Sequence, residues 1–285
     1  MSVAFDGGAD LERRFGGLRR LYGETAYARL RAGRVAVVGL GGVGSWAAEA
    51  LARCGVARLV LIDLDHVAES NVNRQVQALT RTLGQSKVRA LAERVADIHP
   101  GCEVLAVEEF VAPDNWPALL PAPVDLVLDA CDQVRAKAAL AAWSLREQAP
   151  LVCVGAAGGK RQAQRVEVAD LAEATHDPLL AGLRQRLRKH AGASRQGAIG
   201  VRCVFSREIV VPPAATCVPG VPEDAAAAVD GSLNCHGYGS SVMVTATFGM
   251  VAASEAAALL AAPAARPGRE GAKSQIYFDA LRTGR

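Results

Sequence analysis

The chain has 285 residues, of which 51% are hydrophobic and 21% charged, enough apolar material for one large α/β domain alone or with a smaller appendage. Formal net charge is +3, too small to establish a polyanionic partner, so the distribution of charge carries the information. The seven cysteines are scattered without a C-x-x-C pair, and "MSVAFDGGADLERRFGG" lacks the apolar run of a signal peptide, so free thiols in a reducing cytoplasm are expected.

Residues 1–30 form a charged N-terminal segment, helical in parts, with "LERRFGGLRRLYG" at its centre. An apolar strand follows over Arg34–Gly39, then a glycine turn and a helix from Val43 to about Arg53. "ARLVLID" is a second strand ending at Asp63, and "GQSKVRALAERVADIHP" reads as a helix closed by Pro100. "CEVLAV", "VDLVLDA" and "LVCVGAAG" are buried-type strands, with a helical stretch over Gln133–Gln148 between the last two. This alternation over residues 31–170 predicts a mostly parallel sheet with helices on both faces. Residues 171–262 change character: a basic stretch turns β-like at "VRCVFSREIVV", giving a smaller C-terminal β-containing part, followed by a Pro-, Ala- and Gly-rich loop. "SSVMVTATFGMVAASEAAALLAA", Ser240–Ala262, is long enough to span a bilayer. Its small side chains and Glu255 instead favour a helix packed on protein, buried or at a dimer interface, over membrane association. Residues 263–285 read as a short polar tail.

The turn fits G-x-G-x-x-G through Gly39, Gly41 and Gly44. The first glycine permits the tight turn, the second lets backbone approach phosphate, and the third lets the helix pack on its strand. The helix N-terminus offers amides and a positive dipole end to an anion, and Asp63 stands where an acid meets ribose hydroxyls. NAD and ATP satisfy this pattern equally. The next residues discriminate. "DLDHVAESNVNRQVQAL" packs Asn71, Asn73, Arg74 and Gln75 into five positions, Lys87 opens a helix, and "LDACD" puts Asp129 and Asp132 at a later strand end. Cations suit charge developing on phosphoryl oxygens, and a carboxylate suits the hard Mg²⁺ that ATP brings. Asp63 as a loop cap, Asn71 and Asn73 as turn formers, and Arg74 and Lys87 as solvated charges are the bland alternatives.

On these residues the chain resembles the E1-like adenylating superfamily (ThiF/MoeB/HesA type). The resemblance rests on a GxGGxG turn (Gly39, Gly41, Gly42, Gly44) and a D-x-D strand end (Asp63, Asp65). It continues through N-x-x-R-Q (Asn71, Arg74, Gln75, with Asn73 inside it), Lys87, and D-x-x-D (Asp129, Asp132). It implies a Rossmann-like adenylation fold over 31–170, ATP and Mg²⁺ as bound species, a homodimer, and activation of a carboxylate as its adenylate. Arg74 and Lys87 would then stabilise the phosphoryl-transfer transition state, and Asp63 would hold ribose. Asp132 would hold Mg²⁺, because the second acid of the pair is the one associated with metal in that superfamily. One departure stands at the N-terminus. Many members begin R-Y-x-R-Q, whose second Arg reaches across the dimer to the γ-phosphate; Arg14 and Phe15 fit, but Gly17 replaces that Arg, leaving Arg19 or Arg20 as substitutes.

Without C-x-x-C pairs the four-thiolate zinc site of many sulfur-carrier activators is not expected. "RFGGLRRLYG", "GGVGSWAAEALAR", "NVNRQ", "DPLLAGLRQRLRK", "CVFSRE" and "MVTATFG" are similar instead to the tRNA threonylcarbamoyladenosine dehydratase branch, over about 14–261. That resemblance implies adenylation of the free carboxylate on the modified adenosine, then intramolecular closure by the substrate's own ureido group. It also implies a tRNA partner, and the branch's association with cysteine desulfurase systems suggests a sulfur-acceptor protein. Arg184, Arg186, Arg188, Lys189, Arg195, Arg202 and Arg207 form a basic stretch suited to phosphate contact, or else a solvated helix face. Cys235, beside His236, is either a reactive thiol or an incidental one. The run Gly155–Gly159 either contacts substrate or a monovalent cation through its backbone, or is only a tight turn. The rival activities are activation of a sulfur-carrier or ubiquitin-like protein, a non-catalytic adenine-nucleotide sensor, and an NAD oxidoreductase.

Overall fold

The computed structural model describes residues 9–210 and 238–263. Seven strands form one sheet: β1 (Arg34–Val38), β2 (Arg58–Ile62), β3 (Glu103–Val107), β4 (Leu126–Asp129), β5 (Leu151–Val154), β6 (Val166–Asp170) and β7 (Arg202–Ser206). Their spatial order is β3-β2-β1-β4-β5-β7-β6, parallel throughout except for β6, which runs antiparallel to β7 at the edge. The central strands β1, β2, β4 and β5 are buried on nearly every residue, which is why they read as continuous apolar runs and not as alternating ones. β7 enters between β5 and β6, so the described part of the β-like stretch beyond residue 170 extends the main sheet.

Helices α1 (Leu11–Tyr22) and α2 (Glu24–Ala32) precede the sheet, and α3 (Gly44–Arg53), α4 (Lys87–Ile98), α5 (Val134–Glu147) and α6 (Pro178–His190) lie in the crossovers. Asp10 caps α1 through the Arg13 amide, and Asp177 caps α6 through the Leu180 amide with Pro178 at its first position. One apolar cluster joins α3, α4 and the sheet; a second joins α5, α6 and the other face.

The last described helix, α7 (Val242–Ala261), is long and apolar enough to cross a membrane. It is packed on protein. Val244, Phe248, Ala252, Ala253, Ala256 and Ala257 are buried in the first cluster. A methyl group built on Gly249 would come within 2.5 Å of the Val43 carbonyl oxygen and 2.9 Å of Trp46 Cβ, so the glycine sets how closely α7 lies on α3. Its acid, Glu255, is ion-paired with Arg202 of β7.

Candidate nucleotide-binding and adenylation site

The strand order reverses between β1 and β4, and in an open parallel sheet that switch point opens a crevice at the carboxyl ends of the strands. The glycine turn lies there. Gly39 has φ +83°, and a methyl group on it would approach the Cys131 amide to 2.8 Å, so the turn after β1 touches the loop after β4. A methyl group on Gly44 would sit 1.8 Å from the Gly39 carbonyl oxygen, so only glycine lets α3 start this close to its strand. Gly41 faces open space, with nothing within 4 Å of the same position, whereas Gly42 is hemmed by Thr245 and Arg74. Val43, at the N-cap of α3, supplies no side-chain acceptor. The Ser45 amide bonds the Gly41 carbonyl at 3.2 Å, and the positive end of the helix dipole is offered to a ligand anion.

Two side chains pin the turn by its Leu40 peptide groups. Asp63, just past β2, accepts the Leu40 N–H at 2.6 Å, and Gln77 donates its amide to the Leu40 carbonyl at 2.9 Å. The second Asp63 oxygen accepts the Asp65 N–H at 2.9 Å. Burial raises the Asp63 pKa, opposed by Lys87 and the two amides. Lys87, the first residue of α4, is buried; its ammonium is 2.7 Å from Asp65 and 3.9 Å from Asp63. The Asp65 carboxylate is 55% exposed against 7% for Lys87, so the lysine is held at the crevice by a partner it can exchange.

The N-x-x-R-Q segment folds over the start of α3. Asn71 is buried and accepts the Ala68 amide, and Asn73 donates to the Ser240 carbonyl ahead of α7. Gln75 is buried and accepts from Gln77. Arg74 donates to the Ser70 carbonyl and to Asn73, its own carbonyl accepts the Trp46 indole N–H, and its buried Nε has no partner. The turn, Asp63, Lys87 and Arg74 thus gather at one crevice, with an open glycine and an orphaned guanidinium N–H, which fits a bound nucleoside triphosphate. Asp132 is exposed in the loop after β4. Among the described residues no three His, Cys, Asp or Glu side chains form a metal-ligand cluster. Mg²⁺ would fit Asp132, with phosphate oxygens and water as its remaining ligands.

Asp129, the first acid of the pair, is fully buried and lies 3.1 Å from the equally buried Lys137 ammonium of α5. Burial works against that ammonium, but Asp129 holds its pKa above the ordinary value. Asp129 also accepts the Cys131 amide and thiol, fixing the backbone one residue before Asp132. Gln77, Lys137 and Trp46 were not singled out in the sequence; Gln77 stands two positions from Gln75, which is the only signal it gives.

The remaining candidates divide. Arg186, Lys189 and Arg195 are exposed, while Arg207 pairs with Glu167 at 3.0 Å. Arg184 turns inward to the carbonyls of Leu171 and Ala174, Arg188 donates to the Ser194 carbonyl, and Arg202 is buried. At the end of β5, Asp177 accepts the Ala156 amide, and a methyl group on Gly155 would lie 2.1 Å from Asp177 Oδ2. The Lys160 ammonium is buried on the carbonyls of Ser206 and Glu208, and the Glu208 carboxylate takes the amides of Arg161 and Gln162. Burial pushes up the thiols of Cys54, Cys131 and Cys102, the last to about 11, which suppresses their thiolates. Cys235 and His236 lie outside the described residues. In the N-terminal motif, Arg14 bonds the carbonyls of Asp97 and Ile98, Arg19 pairs with Glu12 and Glu24, and Arg20 is exposed.

Residues 14–282 match the ThiF family. The chain belongs to the ThiF family. Among its ThiF-family relatives, tRNA threonylcarbamoyladenosine dehydratase of Escherichia coli (strain K12) is 44% identical over 261 residues, 90% of this chain and 96% of that protein. The solved structure of E. coli tRNA N6-threonylcarbamoyladenosine dehydratase in complex with ATP has a TM-score of 0.78 at 43% identity, covering 91% of this chain and 99% of that one. The corresponding AMP complex has a TM-score of 0.76 at 42% identity, covering 88% and 96%.

Proposed function

We propose that this ThiF-family protein dehydrates N6-threonylcarbamoyladenosine in tRNA with ATP, releasing AMP and pyrophosphate. The observation that carries this reading is the near-full-length likeness to a dehydratase solved with ATP and with AMP. The crevice chemistry agrees with it. A carboxylate is a poor electrophile until one of its oxygens becomes part of a leaving group. The open backbone at Gly41 and the uncapped start of α3 receive phosphates, and the free lone pairs of Asp63 receive ribose hydroxyls. Lys87 leaves Asp65 for the phosphoryl oxygens, and Arg74 turns its unpaired N–H to the same charge. A substrate carboxylate oxygen bonds to the α-phosphorus as the bond to pyrophosphate breaks. A ureido atom of the same substrate then attacks the acyl carbon, AMP departs with that oxygen, and a proton is lost. Both partners in this second step belong to one molecule, which supplies a high effective concentration without a covalent enzyme intermediate. Mg²⁺ held by Asp132 would neutralise phosphate charge.

The same reading puts tRNA phosphates on Arg186, Lys189 and Arg195, with Arg184, Arg188 and Arg202 shaping that side from within. It also carries homodimerisation, action in the cytoplasm and a sulfur-acceptor partner from the family.

The test is AMP and pyrophosphate release with ATP, Mg²⁺ and tRNA bearing the modification, against unmodified tRNA. Release with the modified tRNA only, with loss of one water from the nucleoside mass, is expected. Release driven instead by a small protein ending in Gly-Gly would replace this reading with carrier-protein activation.

A further inference from the structure

Leu40 stands between two clamps. Its N–H is held by Asp63 at 2.6 Å and its carbonyl by the Gln77 side-chain amide at 2.9 Å. We infer that Gln77 is a positioning residue for the nucleotide: by holding the Leu40 carbonyl it keeps the Gly41 N–H turned toward the phosphates. The inference rests on the crevice as an ATP site and adds the residue that selects the anion-receiving form of the turn.

Peptide geometry is the first argument. The Leu40–Gly41 bond is trans, so its carbonyl oxygen and its N–H point to opposite sides of one plane. The oxygen is turned to Gln77, which is 1% exposed, and the Gly41 N–H is therefore turned away from that buried side. Among the described residues this N–H has no partner, and a methyl group on Gly41 would meet nothing within 4 Å. It is a free donor in open surroundings at the crevice.

Freedom of the peptide is the second. Turning it over changes ψ of Leu40 and φ of Gly41 together. A glycine accepts either sign of φ, and a second glycine follows it, so sterics alone leave the flip open. In the flipped form the carbonyl oxygen would face the phosphates, an acceptor against an anion. Flipping breaks the bond from Gln77, so that bond weights the turn toward the form with its N–H outward. The Gln77 side chain is itself fixed. Its Nε2 also donates to Gln75 Oε1 at 3.2 Å, and its backbone carbonyl accepts the Thr82 hydroxyl at 2.6 Å.

The unused end of the same amide is the third. Gln77 Oε1 is buried and, among the described residues, has no partner. A buried acceptor without a donor destabilises a fold, and a methionine of similar length would carry no such atom. Stability alone does not account for an amide at this position, whereas a donor aimed at Leu40 does.

The experiment measures the Kd for ATP and for adenosine, and the thermal midpoint, in the wild-type protein, Gln77→Met and Gln77→Glu. Gln77→Met is expected to raise the ATP Kd about tenfold. Its adenosine Kd should stay at the wild-type value, because adenosine has no phosphate, and its thermal midpoint should equal or exceed that of the wild type. Glutamate at this position only accepts when ionised but can donate to Leu40 when protonated. The ATP Kd of Gln77→Glu should therefore approach the wild-type value as pH is lowered, while the ratio of Gln77→Met to wild type stays constant. An unchanged ATP Kd in Gln77→Met, or an equal rise for ATP and adenosine, overturns the positioning role and leaves the ATP site standing. A lowered thermal midpoint in Gln77→Met, with no recovery of Gln77→Glu in acid, also overturns it, by showing lost packing. No ATP binding by the wild-type protein overturns the nucleotide reading with it.

Discussion

The strands β2 and β4 flank β1 and are each followed or ended by an aspartate that meets a lysine from the first turn of the next helix, yet the two pairs do opposite things. Asp129 and Lys137 are 3.1 Å apart and 0% exposed. Asp63 and Lys87 are 3.9 Å apart, and the lysine's nearer partner, Asp65, is half in solvent. A charge pair wholly out of water is fixed, because parting it strands two ions in a low dielectric. A lysine whose nearest counter-ion is hydrated can hand that counter-ion back to water and take a phosphate instead. Burial of the partner, and not residue type, separates the scaffold lysine from the one that the proposed function gives to the phosphates.

Three substitutions break or sharpen this contrast. Lys137→Met should cost about 3–5 kcal/mol of stability, read as a fall in the urea midpoint, because it strands Asp129. Pairing it with Asp129→Asn should return much of that loss. If the single variant unfolds like wild type, the buried pair is not a scaffold element. Lys87→Ala should instead spare the fold while lowering kcat about 10²–10³-fold, equivalent to about 2.7–4 kcal/mol in the transition state. A thermal midpoint that drops with activity would make Lys87 structural as well.

The smallest effect belongs to a third pair, Arg34 and Asp125, 2.6 Å apart with both side chains over a third exposed. Its worth should be about 1 kcal/mol or less, screened by salt. The Arg34 hydrogen bond holds the Asp125 pKa below the ordinary 3.8. The stabilisation is therefore present above pH 3.8 and is lost as pH falls through the lower folded value. Denaturation of Asp125→Asn and wild type should differ at neutral pH and converge under acid; a constant gap would show that the charge is not responsible.

The nucleotide half was legible because its signals are local. Strand ends, a left-handed glycine and a lysine opening a helix are all written in adjacent residues. Partners far along the chain were not legible. Arg202 reads as part of a basic stretch, but its partner Glu255 lies fifty-three residues on in α7. Arg184 reads the same way until the loop before α6 offers it two carbonyls. β7 was visible as a strand but not as a member of the main sheet, since its place between β5 and β6 is set by a crossover and leaves no mark in its own five residues. Gln77 was hidden for a related reason: its role depends on the Leu40 carbonyl, which turns toward it only once the glycine turn has closed.

The seam between α7 and α3 also bears on how the molecule is made. All seven described strands have been synthesised by residue 206, yet the flank of α3 facing Gly249 waits for residues near the far end of the described chain. Until α7 arrives, Ala47 and the apolar residues around it face solvent, and a stalled or clipped nascent chain would offer that stripe to its neighbours. The expected product of late truncation is aggregate or chaperone-bound protein, not a weaker enzyme.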